Sequence, residues 1–228
     1  MLVGNFIRTI LITIIFVGIL STVLIILAFQ FIRDFREGRK PINKFIQAVK
    51  KNNFRLVQDY LDEKLVQIND LGQYGETALH EAASHGQLEM VRFLLANGAS
   101  VKARNVHDDT PLHAAVEEGQ LEIAKLLIEA GADVNACGID KTSTINYAAM
   151  DNHTDVFRYL FEIGADATVK DAFGRTPIHF AAENGNVEIC RMLINAGIST
   201  QEPNDDGETP ETIALKNKHI NVAELLKR

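Results

Sequence analysis

One motif returns along most of this chain at a fixed interval of 33 residues. The clearest copy is residues 110–115, Thr-Pro-Leu-His-Ala-Ala, directly after Asp109, and related copies start at Thr77, Ser143, Thr176 and Thr209. The copy at Ser143 is degenerate and reads Ser-Thr-Ile-Asn-Tyr-Ala-Ala. A constant period of about 20–50 residues is typical of stacked supersecondary units. The period therefore predicts an elongated stack in which each unit packs on its neighbours, instead of one globular core.

Each copy carries the sequence signals of two helices. Pro111 and Pro177 each follow a threonine, and proline is well tolerated in the first turn of a helix, where its missing N–H would be unpaired anyway. Further along, Leu121, Ala124 and Leu127 recur at helical spacing. A glycine suited to the left-handed end of a helix follows in four units: Gly98, Gly131, Gly164 and Gly197. The pattern predicts an all-α chain of helix pairs.

These residues resemble the ankyrin-repeat family. The resemblance rests on the Thr-Pro-Leu-His-x-Ala-Ala core, on Gly86, Gly119 and Gly185 between the paired helices, and on Gly-Ala-Asp-Val-Asn at 131–135. It implies an ankyrin solenoid of helix-turn-helix-loop repeats over residues 42–228, a protein-binding activity and no catalysis. It also implies a structural hydrogen-bonding role for the motif histidines.

The period divides residues 42–228 into six units. They are a capping repeat at 42–74, repeats at 75–107, 108–140, 141–173 and 174–206, and a C-terminal cap at 207–228.

A long apolar run precedes the repeats. Residues 10–32 contain no charge, and as a helix these 23 residues reach about 34 Å, enough to cross a hydrocarbon core of about 30 Å. We therefore expect a transmembrane anchor at 10–32, between a short tail at 1–9 and a charged linker at 33–41. A cleaved secretory signal is the alternative, although its apolar region is usually shorter. Gly18 and Thr22 are spaced as in close helix pairs, which allows weak self-association of the anchor.

Charge is distributed unevenly on the two sides of this run. Arg8 precedes it, whereas Arg33, Arg36, Arg39 and Lys40 follow it, which predicts that the repeats lie in the cytoplasm. The whole chain has 23 Lys and Arg against 30 Asp and Glu, for a net charge of −7. Because an acidic solenoid repels phosphate backbones, we expect no nucleic-acid binding.

Signals for chemistry are weak, and we expect no catalytic residue, no cofactor and no metal. His80 and His85 are five residues apart, whereas a zinc-protease helix needs a separation of four. The run from His107 to Asp109 has no nucleophile near it in sequence and is best read as a polar turn. The two cysteines do not indicate a disulfide framework: Cys190 falls in a helix stripe, and Cys137 falls in a loop.

One column of the repeats is a candidate partner-binding surface. The residue after the motif histidine borders the concave groove in the ankyrin family, and here it changes from Glu81 and Ala114 to Tyr147, Phe180 and Ile213. Met150 on the neighbouring column and Ile139 and Phe173 in the loops extend this apolar set. Exposed aromatic residues with an adaptable methionine are typical of protein-binding hot spots. The alternative is that the column packs between neighbouring first helices and only stabilises the stack.

The sequence thus predicts a membrane-anchored adaptor or scaffold without enzymatic activity, which presents its solenoid to a protein partner at the cytoplasmic face. An exported or periplasmic effector with the same fold is the alternative, and an enzyme with an unfamiliar site is a more distant one.

Overall fold

The computed structural model describes residues 41–227, and their regular elements are helical apart from one isolated antiparallel bridge between Cys137 and Ser143. Twelve α-helices and one short 3-10 turn at Ile139–Lys141 make up this part of the chain. The helices are α1 (Pro41–Lys50), α2 (Phe54–Asp62), α3 (Ala78–Ser84), α4 (Leu88–Ala96), α5 (Pro111–Glu117), α6 (Leu121–Glu129), α7 (Thr144–Met150), α8 (Thr154–Glu162), α9 (Pro177–Glu183), α10 (Val187–Asn195), α11 (Pro210–Lys216) and α12 (Ile220–Leu226).

The predicted anchor at 10–32, the tail at 1–9 and nearly all of the linker at 33–41 lie outside the described residues. Between residues 41 and 227, no helix combines the length and apolar character that crossing a bilayer requires.

From α3 onward the helices form two parallel layers. The first helices of successive units (α3, α5, α7, α9 and α11) contact one another, and so do the second helices (α4, α6, α8, α10 and α12). The helices of each pair have seven to nine residues, which is too short for a pair to be stable alone. Its apolar stripe is therefore buried against the next pair. The core between the layers holds large, fully buried side chains such as Leu79, Leu94, Leu112, Leu127, Phe157, Leu160 and Ile189.

The motif threonine and histidine fix the start of three first helices and connect each to the following loop. In α5, the Thr110 backbone N–H donates to Nδ1 of His113 at 3.0 Å. Because Nδ1 accepts this bond, the ring proton is assigned to Nε2, which donates to the Ala136 carbonyl at 3.0 Å. His80 and His179 make the same bonds to the Asp109 and Glu202 carbonyls. The hydrogen-bonding role expected for these histidines is confirmed.

Burial of these rings disfavours their charged form. Desolvation lowers the pKa of His113 to about 4, and it also lowers the pKa values of His80 and His179. The three rings are therefore neutral near pH 7.

Left-handed backbone ends the first helix of each unit, and it also follows four of the second helices at the predicted glycines Gly98, Gly131, Gly164 and Gly197. Gly119 has φ 66°, and a Cβ atom there would lie 2.6 Å from Nδ1 of His153 in the next unit. Asn152 takes the same conformation in the fourth unit, with φ 62°, as its short side chain allows.

The degenerate fourth unit lacks the histidine ties. Asn146 occupies the histidine position at the N-terminal end of α7 and is fully buried. Its amide nitrogen and oxygen have no hydrogen-bond partner, and the Ser143 hydroxyl has none either. The Thr144 hydroxyl donates to the Val134 carbonyl, which provides one replacement tie to the preceding loop.

Candidate binding surface

The structure buries three of the six residues that we predicted to contact a partner. Tyr147, Phe180 and Ile213 are only 8%, 1% and 6% exposed. The Tyr147 ring packs edge-on against the His113 ring of the preceding first helix, with 5.5 Å between centroids, and its hydroxyl donates to Asp109 at 3.3 Å. The expected exposure of these side chains is therefore wrong. Neighbouring first helices lie side by side, so this column fills the space between them.

The other three predicted residues are accessible. Met150 is half-buried at the end of α7. Ile139 and Phe173 are 45% and 52% exposed, in the loops that precede α7 and α9. Their role in partner binding stays a prediction.

Two further exposed apolar residues occupy the corresponding loops of the preceding units. Tyr74 is 57% exposed and Val106 is 64% exposed. Together with Ile139 and Phe173, they place an apolar side chain in four successive loops, 32 to 34 residues apart, and we call these four residues the loop row. We did not predict Tyr74 or Val106 from the sequence. The available signal was an apolar residue three or four positions before the threonine or serine that starts each first helix.

Hydrogen bonds between successive loops hold the loop row in place. The Val106 N–H donates to the Tyr74 carbonyl at 3.1 Å, and the Asp205 N–H donates to the Phe173 carbonyl at 3.0 Å. Arg104 adds a connection across the middle, because its Nη1 donates to the Cys137 carbonyl at 2.7 Å. The apolar side chains thus project from a connected edge and not from independent loops, which lowers the entropic cost of binding.

A small acidic pocket lies beside the Tyr74 and Val106 end of the loop row. Four carboxylates line it, from Glu76, Glu81, Asp109 and Glu117, and Ala114 contributes a small side chain on α5. Its volume of about 100 Å³ is enough for one ammonium or guanidinium group but not for a drug-sized ligand. The adjacency to the loop row is direct, because Asn105 lines the pocket and precedes Val106 in the chain.

The pocket concentrates negative charge that the described residues only partly neutralise. Lys50 Nζ pairs with Glu81 at 2.9 Å, but within residues 41–227 no Lys or Arg comes within ion-pair distance of the other three carboxylates. Burial raises the pKa values of Glu76, Asp109 and Glu117, and neighbouring carboxylates raise them further. For Glu117 the strongest of these neighbours is Asp151, at the end of α7.

The residues considered for chemistry are accounted for structurally. His85 Nδ1 contacts its own helix at the Glu81 carbonyl, 3.0 Å away, and does not join His80. Among the described residues, no group of three or more His, Cys, Asp or Glu side chains is placed to hold a metal ion. Cys190 is fully buried, which raises the pKa of its thiol to about 12, and Cys137 is half-buried in its loop.

The geometry is thus a stack of helix pairs with an edge of loops, and the family comparison agrees with it. The family model described as "Ankyrin repeats (3 copies)" matches residues 45–136 and 145–228, which is well over half of the chain. The chain belongs to the ankyrin-repeat family.

Several curated proteins are similar to parts of this ankyrin-repeat chain. It is 47% identical over 49 residues to the Mus musculus Serine/threonine-protein kinase TNNI3K, covering 22% of this chain and 6% of that kinase. It is 38% identical over 75 residues to Ankyrin repeat domain-containing protein 49 of Bos taurus, covering 33% of this chain and 32% of that protein. It is 33% identical over 75 residues to the Danio rerio Notch-regulated ankyrin repeat-containing protein A, covering 32% of this chain and 67% of that protein. The chain thus spans less than two thirds of the first two relatives.

Proposed function

We propose that this chain is a non-enzymatic protein-binding module, anchored in a membrane by residues 10–32, that acts as an adaptor or scaffold through its ankyrin repeats. The observation that carries the binding role is the loop row, because it places four apolar side chains that are 45–64% exposed on one connected edge. Clustered apolar and aromatic anchors of this kind contribute most of the free energy of protein association. Family membership supports a protein as the ligand.

The binding role predicts that the loop row can be inactivated without unfolding the chain. Phe173→Ser should abolish partner capture from detergent-solubilised native membranes, because the aromatic anchor is lost from an exposed site. Its thermal midpoint should change little, since the ring is 52% exposed. Ile163→Ser is the matched control, because Ile163 is 42% exposed at the end of the second helix α8. Equal capture by both variants would place the binding surface elsewhere.

The anchor and its orientation are supported by the length of the apolar run and by the basic residues that follow it. Carbonate extraction should leave the full chain in the membrane and release a chain that lacks residues 10–32. A membrane-impermeant maleimide should label Cys137 only after intact cells are permeabilised, because we place the repeats in the cytoplasm. Labelling of Cys137 in intact cells would support an exported or periplasmic domain instead.

A further inference from the structure

The loop row and the acidic pocket together constrain what a partner can present to this edge. The row offers apolar surface over four loops, whereas the pocket beside it offers carboxylates around a space of about 100 Å³. A partner that covers the Tyr74 and Val106 end of the row also covers the pocket and removes it from water. Burying ionised carboxylates without a counter-charge costs several kcal/mol per ion, so a covering surface that brings a cation is favoured over one that does not.

The pocket is open because the residue that follows the motif histidine is small in the third unit. In the position after the motif histidine, Ala114 stands between the longer side chains of Glu81 and Tyr147. Tyr147 reaches back toward Asp109 and Glu81 is held by Lys50, so the space above Ala114 stays open. Within residues 41–227, Lys50 pairs with Glu81 at the pocket wall and Arg104 pairs with Asp108, so neither forms an ion pair with Glu76, Asp109 or Glu117.

Charge around the loop row favours the same kind of partner. Asp108 and Asp140 are exposed in these loops, and Asp205 and Asp206 are exposed in the next loop of the stack. Arg104 pairs with Asp108 and Arg175 lies over the Phe173 ring, whereas Asp151 adds negative charge beside Glu117. Anionic membranes and nucleic acids are repelled by such a surface, whereas a positively charged polypeptide is attracted to it.

We propose that the partner is an extended protein segment that inserts a Lys or Arg side chain into the acidic pocket and lays apolar side chains on the loop row. This inference rests on the proposed protein-binding function and specifies the chemistry of the ligand. An extended segment suits an edge made of successive loops, because its length follows the stack. The cation supplies orientation and selectivity, and the apolar side chains supply buried area.

Selection from a random-peptide display library on the full chain, held in an amphipol, tests the ligand chemistry directly. The selected peptides should contain Lys or Arg next to apolar residues, and their affinity should fall as the salt concentration rises. A combined Glu76→Gln and Glu117→Gln variant should bind the best peptide at least about tenfold more weakly. Glu129→Gln, which removes one exposed charge at the end of the second helix α6, should leave the affinity unchanged.

A stability measurement separates a binding role from a structural one. Neutralising Glu76 and Glu117 relieves repulsion within the pocket, so the variant should be as stable as the unmodified chain or more stable while its binding is weakened. A loss of thermal stability together with binding would assign the two carboxylates to the fold and overturn the proposal.

The remaining outcomes distinguish failure of this inference from failure of the proposed function. If the selected peptides are neutral or acidic and Val106→Ser weakens their binding, the loop row remains the protein-binding surface, but the proposal of a cationic segment is overturned. Peptides whose affinity is unchanged in both Val106→Ser and Phe173→Ser would overturn both. Self-association of the full chain that Val106→Ser abolishes would identify a second copy as the occupant and also overturn the proposal.

Discussion

The sharpest test of how the stack is held together is the replacement of His113 by Asn. This change converts the third unit to the residue that the fourth unit carries at Asn146. In the structure, the His113 ring accepts the Thr110 N–H and donates to the Ala136 carbonyl, both at 3.0 Å. The shorter asparagine cannot span both partners, just as Asn146 finds none. The substitution therefore removes one helix cap and one tie between the first helix of the unit and the loop that follows its second helix.

The expected loss follows from the two hydrogen bonds and their buried partners. Each bond contributes about 1 kcal/mol, and a buried polar group left unpaired costs about 1–3 kcal/mol. Thr110 and His113 are both at most 5% exposed, so water does not readily replace the lost bonds. We expect His113→Asn to lower the free energy of unfolding by about 2–4 kcal/mol at pH 7.

The pH dependence of stability identifies the His113 ring itself as the cause of the loss. The pKa of His113 is about 4 in the folded chain and about 6.5 when unfolded. The unfolded chain therefore binds the proton more readily, and stability that is fully present above pH ~6.5 is lost as pH falls toward 4. From pH 7 to pH 5 this residue alone accounts for a loss of about 2 kcal/mol, which the Asn variant should not show.

Urea unfolding of the full chain in non-ionic detergent, followed by far-ultraviolet circular dichroism at pH 7 and pH 5, measures both quantities. His107→Asn is the matched control, because His107 is exposed in a loop. The other buried histidines and the carboxyls with raised pKa values are common to all three proteins, so the difference between proteins isolates His113. A loss no larger than that of the control, or the same pH dependence in His113→Asn and the unmodified chain, would refute the reasoning.

Replacing Asn146 with His and Ser143 with Thr should raise the free energy of unfolding by about 1–3 kcal/mol, because a ring that can form hydrogen bonds replaces unpaired buried amide atoms. The control Asn221→His, at an exposed position, should not raise it. An unchanged unfolding midpoint in the double variant would show that the site cannot hold the ring. Phe180→Ala should lower the free energy of unfolding by about 3–5 kcal/mol, since the ring is fully buried; partner binding lost at unchanged stability would instead support the groove role that we first predicted. A fragment of residues 42–228 should be soluble and helical, whereas removal of residues 206–228 should expose apolar surface and cause aggregation in sedimentation experiments. Equal solubility of the two fragments would contradict our register of the repeats.

The features that the sequence predicted correctly are those governed by local rules. Pro111 marks a first helix turn because proline lacks an N–H, and Gly119 marks its end because left-handed backbone disfavours a Cβ. The role of the motif histidines came from the family resemblance, and it too is local, since their threonine partner lies three residues away in the same turn. The family resemblance, and with it the solenoid, depended on the same short-range pattern repeated at a constant step.

What surrounds a side chain was decided only by the tertiary structure. The sequence column that ends in Tyr147, Phe180 and Ile213 could border a groove or fill the space between first helices. The sequence does not distinguish these two environments, because in either case the residue follows the motif histidine directly. The choice depends on how far each first helix is rotated against the next, and packing places these side chains inside. The acidic pocket is equally nonlocal, since it requires Glu76, Asp109 and Glu117 to meet across two units around Ala114. Spacing along a chain sets which face of a helix a residue occupies, but only the neighbouring helix determines whether that face meets water.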